Sequence, residues 1–190
     1  MDTLPFYILL FIHLTSLVVG FGSVLVVDFL GLAWISSKIS LKILTQVTNH
    51  IQKLIWLGWF GLVGSGIGLI LIKGYIDELT QLKLFFVILV GANGIILHSI
   101  QKTLVTIKGE NVPLSLKFRI AVACMISQVG WWGAMSIGFL HRHWRHNISW
   151  PHDPWIYMFL IIFSFGIITV LGQILLSSKE ELRELRVSSK

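Results

Sequence analysis

The chain has 190 residues, of which 55% are hydrophobic and 13% charged. Its mean hydropathy of +0.81 sets it apart from soluble domains, where roughly one residue in four is charged, so water is not its main solvent. The formal charge of +6 does not point to nucleic acid, because the basic residues punctuate apolar runs instead of lining one soluble face; the single cysteine, Cys124, excludes an internal disulfide and the two-cysteine attachment of covalent c-type haem.

Charges bound the apolar runs in chain order. Residues 4–35 form the first span, interrupted only by Asp28. That run exceeds the 7–15-residue apolar core of a signal peptide and no lysine precedes it, so it is expected to stay in the membrane. Residues 54–72, between Lys53 and Lys73, form the second span, and residues 84–101, between Lys83 and Lys102, the third. The fourth covers 120–140 and the fifth 155–177, approached through Pro151 and Pro154. About 20 apolar residues cross a hydrocarbon core of about 30 Å, and a helix satisfies its own backbone in lipid where an open sheet edge does not. The expected fold is therefore all-α: a polytopic membrane helix bundle of about five transmembrane helices in a single domain, with 178–190 as a tail. Ile43, Leu44, Val47, Ile51 and Leu54 recur at helical spacing, and residues 179–186 are charged around two leucines; both segments read as continuations of helices two and five.

Eleven of the fifteen lysines and arginines fall in one set of alternate connectors and the tail, and four in the other: Lys73, Lys83, Arg142 and Arg145. The positive-inside bias puts the N-terminus outside and the C-terminus in the cytoplasm of a plasma membrane, with a bacterial inner membrane as the expected setting. Trp34, Trp56, Trp132, Trp144, Trp150 and Trp155 lie near span ends and read mostly as interfacial anchors. In helix two, Gly58, Gly61, Gly64, Ser65 and Gly68 form a face of small residues, suited to close helix packing or to a flat cofactor.

Polar side chains inside the spans are costly and carry the functional hypotheses. His13 lies roughly 15 Å into helix one at 1.5 Å per residue, and Asn93 in helix three is at a similar depth. His98 and Asp28 overlap in depth nearer the other face, which makes Asp28 a candidate hydrogen-bonding partner that orients His98 as a ligand. Gly20 and Gly91 each lie two turns from a histidine, leaving gaps over which a porphyrin fits. His50 sits beside Asn49 and Gln52 at the mouth of helix two, while Gln128 and Gln173 read as interhelical hydrogen-bonding groups. The outer loop gathers His141, His143, His146 and His152 with Asp153, a set whose chemistry suits copper or zinc but whose spacing matches no fixed signature. The same loop also reads as an interfacial segment in which tryptophans anchor and arginines meet lipid phosphate, and a third reading has Arg142 and Arg145 binding carboxylates of a cofactor held by His13.

Phe11-Ile12-His13-Leu14 with Gly20 following, the glycine-rich end of helix two, and Lys83-Leu84 opening a helix that ends at His98 together resemble a superfamily of small membrane proteins. It includes the copper-resistance D family and the bacterial haem-dependent protoporphyrinogen oxidase, and the resemblance covers about residues 5–105. It implies that His13 and His98 are ligands of b-type haem, with Lys83 as the basic residue of the third helix. The chain differs from that oxidase in carrying Asp28 where a Pro-Arg pair is expected, in a longer spacing from Lys83 to His98, and in a fifth helix. The expected function is haem b binding with a redox or tetrapyrrole-related role, that is, a membrane oxidoreductase or electron-transfer protein. His13 and His98 are the axial candidates, either for one haem or for two completed by His141 and His50. Copper or zinc handling, with the outer histidines collecting an ion, and a noncatalytic assembly subunit are the alternatives. The lipid bilayer, a redox partner or membrane subunit, and a second copy of the chain are the expected partners.

Overall fold

A computed structural model describes the backbone of residues 3–107, 112–143 and 153–188, and the side chains of 3–107, 112–140 and 153–177. The described residues form five helices and no strand: α1 (Leu4–Ile35), α2 (Leu41–Lys73), α3 (Glu78–Thr106), α4 (Leu114–His143) and α5 (Pro154–Ser188). Each contains a run long and apolar enough to cross a membrane. α1 coincides with the first predicted span. α2 begins thirteen residues before the apolar core of its span, so the amphipathic segment from Ile43 to Leu54 is indeed part of the helix. α3 and α4 likewise extend past the charged residues that bounded their spans, because lysine and arginine are good helix formers and only change which part of the helix lipid accepts.

The helix ends follow from local chemistry. α1 closes in a reverse turn in which the Ser37 N–H donates to Trp34 O (2.9 Å) and the Lys38 N–H to Ala33 O (2.8 Å). Ser37 there takes the left-handed conformation, φ 57°, in the position where glycine is the usual choice. Ser40 caps α2, accepting from the Ile43 N–H at 3.3 Å, and Gly74 ends it at φ 80°. Asp77 caps α3 through the Thr80 N–H (3.0 Å) and also accepts from the Thr80 hydroxyl. It pairs with Lys73 at 3.0 Å. Partial burial opposes the charge on Asp77, but the Thr80 bonds and the Lys73 ammonium prevail and hold its carboxyl well below the usual carboxylate range.

The bundle is two antiparallel hairpins, α1 with α2 and α3 with α4, plus a peripheral fifth helix that touches only α3 and α4. Small residues set the first hairpin. Gly20 faces Gly58, Ser16 faces Gly61, and Leu9 faces Gly68, so closely that a Cβ on Gly58, Gly61 or Gly68 would come within 3.0 Å of its opposite number, and one on Gly20 would meet the Trp131 ring at 2.8 Å. Gly130 and Gly133 admit Val90 and the Phe86 ring in the second hairpin. Contact between the hairpins is sparser, and α1 and α3 are not packed neighbours.

Outward apolar side chains dominate, with Phe11 and Val18 each 72% exposed, as expected where lipid is the solvent. Trp34 departs from its expected role as an interfacial anchor: it is buried with Leu41, Leu44, Ile100 and Leu104. Its indole fills the space between the end of α1 and the start of α2.

Candidate functional site

The sparse seam between the hairpins leaves a cavity of about 400 Å³ walled by α1, α2, α3 and α4. Its lining is mostly apolar, with Leu14, Leu17, Trp59, Leu62 and Val90 among the walls and His13 and Lys83 as its charged or ionisable groups. Cofactors and small ligands occupy concave, mainly apolar spaces of roughly 300–1,000 Å³ furnished with a few polar groups.

Hydrogen bonding fixes how His13 faces this cavity. The Ser65 hydroxyl donates to Gly61 O within its own helix. Its oxygen is then the acceptor for His13 Nδ1, 2.9 Å away. The proton therefore sits on Nδ1, and Nε2 carries the lone pair. Lys83 Nζ lies 3.4 Å from that Nε2, reaching across from α3 to a helix its backbone does not pack against. Gly66 stands beside the imidazole, leaving room for its edge.

Two tryptophans complete the walls. Trp59 donates to Val87 O at 2.9 Å and lies over Gly91. Trp131 is 2% exposed, stacks on Phe21 at 5.9 Å between ring centres, and has a buried indole N–H with no hydrogen-bond acceptor among the described residues. A buried donor left without an acceptor costs free energy unless a ligand or water supplies one. The cavity thus presents an electron-pair donor, His13 Nε2, and a proton donor, the Lys83 ammonium, facing each other.

The remaining candidates lie elsewhere. His98 is on an exposed face of α3, where its Nδ1 donates to Gln52 Oε1 at 3.1 Å. His50 is exposed and bonds Gln46 O in its own helix at 3.0 Å. Asp28 does not meet His98: it accepts from the Gln128 amide of α4 beside Cys124, and Gln128 in turn accepts from the Trp132 indole at 3.0 Å. The reason is lateral. Depth along α1 and α3 matches, but those two helices are not adjacent. For the same reason Asn93 does not join His13; it is 2% exposed and donates to Ala123 O of α4 at 2.7 Å. The gaps above Gly20 and Gly91 are filled, by Gly58 with Trp131 and by Trp59 respectively, so neither glycine opens onto space for a flat ring. His141, Arg142, His143, Arg145, His146 and His152 lie outside the residues whose side chains are described. Among the described residues no three of His, Cys, Asp and Glu cluster as a metal site.

Ser65, Trp131 and the reach of Lys83 were not singled out as site residues from sequence. Their signal was depth: Ser65 lies eight residues before the end of α2, Lys83 five after the start of α3, and His13 nine after the start of α1, all counted from one end of the bundle. Comparison with known proteins finds no matching family model, no matching curated protein and no matching solved structure.

Proposed function

We propose that this chain is a multi-pass plasma-membrane protein that binds haem b in the cavity between its two hairpins, with a redox or tetrapyrrole-related role. The observation that carries the reading is His13: an imidazole whose Nδ1–H is tied to Ser65, so that the Nε2 lone pair points into an apolar cavity, where iron would take the place of the Lys83 ammonium that it now accepts from. Ordering of a ligating histidine by a bond to its other nitrogen is the usual way a protein fixes ring orientation and raises ligand basicity. Lys83 supplies a cationic donor for the carboxylates or carbonyls that a tetrapyrrole carries. His98, bonded to Gln52 on the outside of α3, does not share this cavity, so the reading rests on His13 as the ligand from the described helices. When bound, haem would supply one-electron chemistry; the residues described here hold it, keep bulk water out and place a cation beside it. The bias in basic residues puts the His13 end on the outer side.

The test is the visible spectrum of the detergent-purified protein before and after dithionite, with metal analysis on the same sample. A Soret band that shifts on reduction and is lost in His13→Ala is the expected result. A colourless protein that retains copper or zinc would favour metal handling. A protein with neither pigment nor metal that tolerates leucine at position 13 would leave a noncatalytic membrane subunit as the better reading.

A further inference from the structure

A second cavity, of about 470 Å³, lies at the opposite end of the bundle, where α1 turns into α2. Its polar lining is Ser37, Lys38 and Ser40 from the turn, with Lys117 from the start of α4; Ile39 and Ile43 give it an apolar wall. From this arrangement we propose that the pocket binds the headgroup of an anionic phospholipid.

Three observations bear on the choice of ligand. First, charge: among the described residues neither Lys38 nor Lys117 has a carboxylate within ion-pair distance, so two cations converge on one cavity without internal compensation. The amino end of α2 opens here too, adding the positive end of a 33-residue helix. Lys117 is held toward the site, its Nζ 5.6 Å from the centre of the Trp34 ring, and that ring is itself buried. Second, hydroxyls: Ser37 and Ser40 line the same space, and hydroxyls with ammonium groups are the donor set that phosphate oxygens accept from.

Third, depth separates a lipid phosphate from a soluble one. The apolar run of α1 continues to Ile35, with Phe29, Leu32 and Ile35 exposed along it, so the α1 side of the pocket borders the end of a lipid-facing surface even though the apolar core of α2 starts only at residue 54. Ile39 and Ile43 continue from it toward the hydrocarbon, where a phosphate in water would gain nothing and an acyl chain would pack. The surrounding end of the bundle also carries Lys42, Lys53, Lys102 and Arg119. A basic pocket between membrane helices on the lysine-rich face is the arrangement that recognises anionic headgroups.

The test uses the full chain in detergent, titrated with dioleoylphosphatidylglycerol or dioleoylphosphatidylcholine and read by native mass spectrometry. Phosphatidylglycerol is expected to bind roughly tenfold more tightly than phosphatidylcholine, and Lys38→Gln with Lys117→Gln to remove that preference. Lys53→Gln with Lys102→Gln deletes the same charge at the same end outside the pocket and should keep it. If the pocket pair does not fold, as judged by its melting temperature in phosphatidylcholine nanodiscs, the single variants replace it, each expected to bind roughly threefold more weakly than the wild type. Equal loss in pocket and control variants, or no preference between the lipids in the wild type, overturns the proposal. So does displacement of phosphatidylglycerol by millimolar inorganic phosphate, which would mark a site for a soluble anion.

Discussion

His13 and His98 are both imidazoles in apolar helices, and each bonds a polar side chain of α2, yet they end in opposite surroundings. The partner of His13 is Ser65, 4% exposed and already committed to a backbone carbonyl, so the ring is locked with its other nitrogen toward a cavity and the Lys83 ammonium. The partner of His98 is Gln52, on the outer side of the α2–α3 seam, where both side chains reach the periphery. The difference is one of helix face rather than depth. A histidine becomes a ligand candidate when packing turns it toward an internal space, and only neighbouring helices decide that.

The contrast can be broken most sharply at the two histidines themselves. His13→Ala should weaken haem retention by about 100-fold, equivalent to about 2.8 kcal/mol, while His98→Ala leaves the pyridine haemochrome yield of purified protein unchanged. Next comes the hairpin that presents His13. A side chain at Gly58 meets the backbone of Gly20 and Ser16, so Gly58→Val should cost about 1–3 kcal/mol of stability, read as a lower melting temperature in detergent. Ser65→Ala frees the imidazole to turn or change tautomer and should weaken haem binding by roughly tenfold without a comparable fall in melting temperature.

A smaller effect is expected at the turn that sets α3, and with it Lys83, against α2. Asp77→Ala removes the cap and should cost about 1 kcal/mol. Because the folded carboxyl is held below its ordinary value, its contribution is complete above about pH 3.9 and fades as pH falls through the lower folded value. The melting difference between wild type and Asp77→Ala should therefore shrink only in strong acid. Gln52→Ala, which strips His98 of its partner at the periphery, should change stability by less than about 0.5 kcal/mol; a large loss there would erase the distinction between the two histidines.

Sequence was a good guide to everything that depends on length and polarity. The first helix was legible to the residue because a proline in its first turn and an apolar run without charges except Asp28 leave few alternatives. The extension of α2 back to Leu41 was visible in the spacing of Ile43, Leu44, Val47 and Ile51. The site was legible only in its depth. His13 stood out as an ionisable group far from water, but its partners did not. Lys83 marks the edge of an apolar run and reads as a boundary, although its flexible stem carries the ammonium inward. Ser65 was hidden among glycines whose obvious role is packing, and Trp131 sits beside Trp132 with nothing in the sequence to say which faces inward. The pairing of Asp28 with Gln128 instead of His98 depends on which helices are adjacent, and hydropathy carries no record of that.

The placement of α5 has a consequence for biogenesis. Among the described residues it contributes no side chain to the His13 cavity and meets the rest of the bundle only along α3 and α4. Every described wall of that chamber is therefore in place once the fourth helix has left the ribosome and entered the bilayer. A ligand of that compartment, if it has one, need not await the last segment, which docks as an outer brace.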